Sequence, residues 1–243
     1  MGTKILLGLI LLGIFIVSGC FQVKPIVIDK CPYTITSSGN YILENDVIHS
    51  NPENNDTLQA CVEAFGASRF TLDCQGNSII GQGPNVDSGS GLGIYVQNSN
   101  GITIKNCEVT KFGQGITLDS TDNSLLDNNV VRVTSTGITL WMGSDNNRLT
   151  NNKVLFNDDG VDIMESTRNI LTGNVADSNR INGIFLGDRS GGNSFDNNTV
   201  TNTQGSESST DFFCNEGIPQ NIDSGGNVCS TQAQCESWLR SCP

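Results

Sequence analysis

Basic residues are scarce in this chain. Its 243 residues hold 13 Lys and Arg against 25 Asp and Glu, a net charge of −12, with a single His. A nucleic-acid reader needs basic patches that displace phosphate counterions, so that function class is excluded. Charged residues of both signs amount to 16%, against about a quarter in an ordinary domain. That excludes a helical protein laced with Glu/Lys pairs. Zinc sites need closely spaced Cys pairs or several His, and the chain has one His and no Cys pair that close. No motif for an organic cofactor or a resident metal stands out, and none is expected.

Amides and glycine supply the polarity instead. Asn occurs 29 times and Gly 27 times. Both are poor helix formers and good turn formers. Such a composition can mean disorder, but apolar residues recur throughout, and their spacing decides. A Gly followed by a β-branched residue returns at Gly93-Ile94, Gly115-Ile116, Gly137-Ile138, Gly160-Val161 and Gly183-Ile184, in steps of 22, 22, 23 and 23. Two residues on, Val96, Leu118, Leu140, Ile163 and Leu186 follow, which is strand alternation. It turns Tyr95, Thr117, Thr139, Asp162 and Phe185 outward.

A second apolar column follows at Ile104, Leu126, Leu149, Leu171 and Phe195, and a third five residues later at Val109, Val131, Val154, Ala176 and Val200. Five is odd, so the chain must bend between the two columns. The bends fall at Asn106-Cys107, Asn128-Asn129, Asn151-Asn152, Gly173-Asn174 and Asn197-Asn198, residue types that enter the left-handed region cheaply. The period is too short for helical-pair repeats, and the LxxLxLxxN pattern of leucine-rich repeats is not present. The fold expected is all-β: a right-handed parallel β-helix, a solenoid of about seven coils with disulfide-stapled caps. Asn129, Asn152, Asn174 and Asn198 should stack as an amide ladder. Val62, Ala64, Phe70 and Leu72 match Ile94, Val96, Ile102 and Ile104, which extends the coils backwards.

The expected organisation is a leader over 1–19, a linker over 20–30, an N-terminal cap over 31–60, the β-helix over 61–206 and a Cys-rich C-terminal cap over 207–243. Lys4 precedes thirteen uncharged residues, Ile5 to Val17, too short to span a membrane and suited to a signal segment. Val17-Ser18-Gly19-Cys20 resembles a prokaryotic lipobox, which implies lipidation of Cys20 and a membrane anchor; an uncleaved anchor or a plain secretory signal are the alternatives. Each places the rest outside the cytoplasm. Eight further cysteines remain: Cys31, Cys61, Cys74, Cys107, Cys214, Cys229, Cys235 and Cys242. An even count in an exported chain reads as disulfides. Cys74 stacks below Asn106, so Cys107 is its diagonal neighbour, and the pairing expected is Cys74–Cys107 with Cys31–Cys61. A short helix over Gln232 to Arg240 would hold Cys235 and Cys242 about 10 Å apart, so each should pair with Cys214 or Cys229. His49 is read as a cap residue, and Trp238 and Leu239 as cover for the last coil. Covered ends imply a monomer.

The stretches GITLDSTDNSLLDNNVV and GITLWMGSDNNRLTNNKV are similar to the repeats of NosD-like proteins. Those belong to a broader carbohydrate-binding and sugar-hydrolase superfamily with pectate lyases among its distant members. CPYTITSSGNYILENDV and ASRFTLDCQGNSIIGQG resemble the first coils of such proteins. The resemblance spans roughly residues 31–206. It implies a β-helix, and polysaccharide or cell-envelope partners, but no chemistry by itself. NosD is linked to copper delivery, yet the candidate ligands His49, Met142 and Met164 do not cluster. The His-containing motifs of polysaccharide hydrolases and alginate epimerases are missing.

One local feature remains. Asp158, Asp159, Asp162 and Glu165 surround a single strand. Asp159, Asp162 and Glu165 are expected to project outward, and paired carboxylates can perform acid/base work on a glycosidic bond. Tyr95, Trp141 and Phe185 on neighbouring coils, with Arg168 and Arg189 nearby, would complete a sugar-binding set with Asp162. The favoured reading is a non-catalytic, membrane-anchored binder of glycans or a cell-envelope partner. The alternatives are a polysaccharide lyase or glycosidase using the three acids, and a structural surface protein.

Overall fold

The computed structural model describes residues 24–49, 60–82, 91–203, 209–215, 217–218, 220–230, 234–235 and 238–239. Every regular element among them is a strand of two to six residues. The strands stack into three parallel sheets: sheet A, nine deep, and sheets B and C, eight deep each. One coil shows the pattern, with Thr136–Trp141 in sheet B, Arg148–Thr150 in sheet A and Lys153–Leu155 in sheet C.

Equivalent residues stand in register. Ile94, Ile116, Ile138, Val161 and Ile184 pair in sequence along sheet B. Leu126, Leu149 and Leu171 do so in sheet A, and Val131, Val154 and Ala176 in sheet C. All of these are buried and form one continuous core, which single coils could not assemble alone. The bends between sheets A and C have left-handed backbone at Asn106, Asn128, Asn151 and Asn197 (φ 52 to 54°) and at Gly173 (φ 65°).

Beside each left-handed residue stands a buried amide. Asn152 donates to Leu126 O (2.9 Å) and Asn174 Oδ1 (3.0 Å), and accepts from the backbone and side-chain amides of Asn129 (3.0 and 2.9 Å). The ladder continues through Asn198 to Asn227. Two more ladders were not foreseen. Asn147, Asn169, Asn193 and Asn221 link backbone to side chain at the bends between sheets B and A. Thr134, Asn157 and Asn179 do so between sheets C and B.

The glycine before each sheet-B strand has a packing reason. A Cβ on Gly137 would lie 2.2 Å from Val154 Cγ1 and 2.5 Å from the carbonyl of Gly160. In the last coil Asp211 stands where the register would place the next glycine. It is fully buried, and its carboxylate accepts from Ser230 N (2.6 Å) and Oγ (3.1 Å).

The ends extend the same three sheets. Ile26–Ile28 pairs with Tyr41–Leu43, and Tyr33–Ile35 with Val62–Ala64. The stretch read as linker and cap therefore builds a coil of its own. At the other end Thr210–Cys214 and Val228–Cys229 continue sheets B and C. Trp238 and Leu239 are buried over the last coil, Trp238 with its ring 5.2 Å from Phe195. Of the helix expected over Gln232 to Arg240, residues 232–233, 236–237 and 240 lie outside the described residues, and Leu239 N–H donates to Cys235 O at 3.3 Å. His49 is buried edge-on to Phe112 at 6.2 Å, and burial lowers its pKa.

Disulfides join Cys31–Cys61, Cys74–Cys107 and Cys214–Cys235, and Cys229 is disulfide-bonded too. Cys20 with its leader, and Cys242, lie outside the described residues. Among the described residues no helix is long and apolar enough to cross a membrane.

Candidate functional site

The outer face of sheet B gathers most of the residues singled out above. Its central outward column runs Glu63, Tyr95, Thr117, Thr139, Asp162, Phe185, Phe213. On one flank stand Gln97, Asp119 and Trp141. On the other stand Gln114, Thr136, Asp159, Asn182 and Thr210. The column arises because outward positions are free of packing demands while the inward Ile, Leu and Val hold the register.

The centre of the face is recessed. Thr117 and Thr139 are 1% and 7% exposed although they point outward. Thr117 donates to Gln114 Oε1 (2.8 Å). Thr139 Oγ1 and Asp162 Oδ1, one coil apart, are buried without a partner. Buried polar atoms almost always find one, so the two stand out at the centre of this face. Burial pushes the Asp162 carboxyl up to about 8, with the neighbouring Asp159 charge a further cause. Asp159 is also raised, again mainly by burial, although Asn182 Nδ2 donates to it at 2.8 Å.

Glu165 does not join these two acids. It lies beyond the strand Asp159–Ile163, at a left-handed bend (φ 50°), and pairs with Arg189 at 2.9 Å. Asp158 pairs with Arg180 at 2.6 Å, and Arg168 with Asp145 at 3.0 Å. Arg168 and Arg189 are thus tied to acids at the bends. Trp141 stands one column over from Asp162 and is 37% exposed.

Tyr95 donates its hydroxyl to Asp119 Oδ2 (2.8 Å), and burial raises its pKa. It sits edge-on to Phe65 at 5.8 Å. Phe185 stacks on Phe213, 5.5 Å apart and 9° from parallel. Sequence reasoning missed Phe213, because the stretch after Thr203 lengthens the last step of the repeat. Thr139 was visible as an outward residue but carried no signal of its missing partner.

Among the described residues no group of three or more His, Cys, Asp or Glu could hold a metal ion. A second depression, lined by Asp73, Asn106, Glu108 and Asn128, lies at a bend between sheets A and C. Its polar groups already serve one another: Asn106 Nδ2 donates to Asp73 at 3.0 Å, and Lys105 pairs with Asp73 at 3.2 Å.

A family model described as a right-handed β-helix region matches residues 72–218. Among solved structures, the periplasmic alginate epimerase AlgG superposes with a TM-score of 0.55 at 15% identity, over 80% of this chain and 51% of that one. This chain therefore spans about half the length of the epimerase. The Dettilon tailspike protein gives 0.42 at 15% identity, over 90% and 59% of the two chains. The alginate lyase from Paenibacillus sp. gives 0.41 at 12%, over 83% and 96%. At such identities the likeness concerns the fold alone. No curated protein sequence matches.

Proposed function

The chain belongs to the right-handed β-helix family, and on that premise we propose that it is an extracytoplasmic glycan-binding protein whose ligand lies on the outer face of sheet B. One observation carries the reading. The Thr139 hydroxyl and Asp162 Oδ1 lie buried without a partner at the centre of the face, with Trp141 on the flank and Phe185 on the next coil. Sugars present hydroxyls for such groups and C–H faces for such rings. The disulfides support an oxidising compartment, and lipidation of Cys20 would hold the protein at a membrane surface.

Affinity electrophoresis of the purified full chain against soluble polysaccharides tests this. Trp141→Ala and Asp162→Ala should each weaken retention about tenfold, the worth of one stacking or hydrogen-bonding contact, without lowering the melting temperature. Absence of retention on every polymer rejects the proposal.

The raised carboxyls of Asp159 and Asp162 favour a second reading, a polysaccharide lyase or glycosidase with these two acids as its acid/base pair. Release of reducing ends or unsaturated products, abolished by Asp162→Asn, would replace the first reading by the second. Binding that survives Asp162→Asn without turnover supports the first.

A further inference from the structure

The charge on this face is one-sided. The eight strands of sheet B carry Glu63, Asp119, Asp159, Asp162 and Asp211 and no Lys or Arg. The cations at its margins nearest Asp162 are held by acids, Arg180 by Asp158, Arg189 by Glu165 and Arg168 by Asp145, while the exposed Lys111 and Arg69 stand two and four coils away. A polyuronate laid over the face would bring carboxylates against carboxylates and find no guanidinium to receive them, where Arg is the usual partner of such groups.

The acids are engaged as well. Asp119 accepts from Tyr95, Gln97 and Ser120, and Asp159 from Asn182. What lacks a partner is the Thr139 hydroxyl and Asp162 Oδ1, both buried and stacked at about the 4.8 Å step of the coils, beside the exposed ring surface of Trp141.

We infer that the ligand of this face is an uncharged polysaccharide, recognised through its hydroxyls by Thr139 and Asp162 and through its ring faces by Trp141 and Phe185, and that polyuronates are rejected. The inference rests on the glycan-binding reading of the face and narrows it. A carboxyl kept protonated by burial both donates and accepts, which matches a sugar hydroxyl and offers no counter-charge to an amino sugar.

Affinity gels at pH 7 with three polymer classes test it: neutral β-glucan and galactomannan, anionic alginate and polygalacturonate, and cationic chitosan. The expected result is retention by a neutral polymer, weakened at least tenfold by Trp141→Ala and by Asp162→Ala, and retained within threefold by Asp162→Asn, whose amide also donates and accepts. Melting curves of all variants separate lost binding from lost folding. Retention by the polyuronates or chitosan alone, with the same sensitivity to Trp141→Ala, overturns the neutral-ligand inference and leaves the face as the glycan site. Neutral retention indifferent to all three variants overturns the assignment of this face. No retention on any polymer overturns both.

Discussion

Asp162 is a carboxyl that folding makes harder to ionise. Burial between Thr139 and Phe185 lifts its pKa from 3.8 to about 8. The native state therefore binds this proton more tightly than the unfolded chain. Its contribution to stability is whole below about pH 4 and is lost as pH rises through about 8. Asp162→Asn mimics the protonated form at every pH. The melting temperature of Asp162→Asn minus that of the native protein should be near zero at pH 4 and climb by at least about 5 °C by pH 8.5. A pH-independent difference in paired thermal melts would contradict the buried, protonated state. That Asp162 faces outward was legible from the alternation of Val161 and Ile163. Its lack of a partner was not, because the residue that should have supplied one, Thr139, lies 23 positions earlier and one coil away. Glu165 shows the complementary failure. Three residues beyond Asp162 a straight strand would place it on the other face, and the left-handed bend instead carries it to Arg189.

At the scale of the coil, amides and glycines hold the stack in place. Replacing Asn152 by Leu keeps the volume but strands Leu126 O and the Asn129 N–H in the interior. Equilibrium urea unfolding should show a loss of about 3 kcal/mol. Gly137→Ala, which drives a methyl onto Gly160 O and Val154, should cost a similar amount. Asn151→Gly, at a left-handed position any glycine adopts, should change stability by less than about 1 kcal/mol. Equal losses at Asn151 and Asn152 would refute the distinction between bend and ladder. The Gly-Ile step and the Asn pairs made these coils readable, because each coil repeats one solution to one local problem. The step of 28 residues from Asn193 hid Asn221 as the next rung of its ladder.

The whole molecule is a stack in which each coil touches only its neighbours, so an end can open without the middle. Four of the described disulfide cysteines sit in the terminal coils, Cys31 at one end and Cys214, Cys229 and Cys235 at the other. Cys214→Ser with Cys235→Ser should cost the last coil about 3 kcal/mol. Native-state hydrogen exchange should show Thr210–Cys214 losing protection while Asn129 and Asn152 keep theirs; uniform loss would mean a single cooperative unit. The first and last coils were read as caps because their apolar residues, Ile28, Ile35 and Phe212 among them, lack the Gly-Ile signature, although they pair in the same register. Asp211 gives that signature an end. Where the five coils from Gly93 to Gly183 leave a bare Cα for the successor's carbonyl to approach, this one presents a carboxylate turned to Ser230. The number of turns is thus written into the chain as punctuation. A duplicated coil could be spliced in anywhere before this residue, and none could be appended after it.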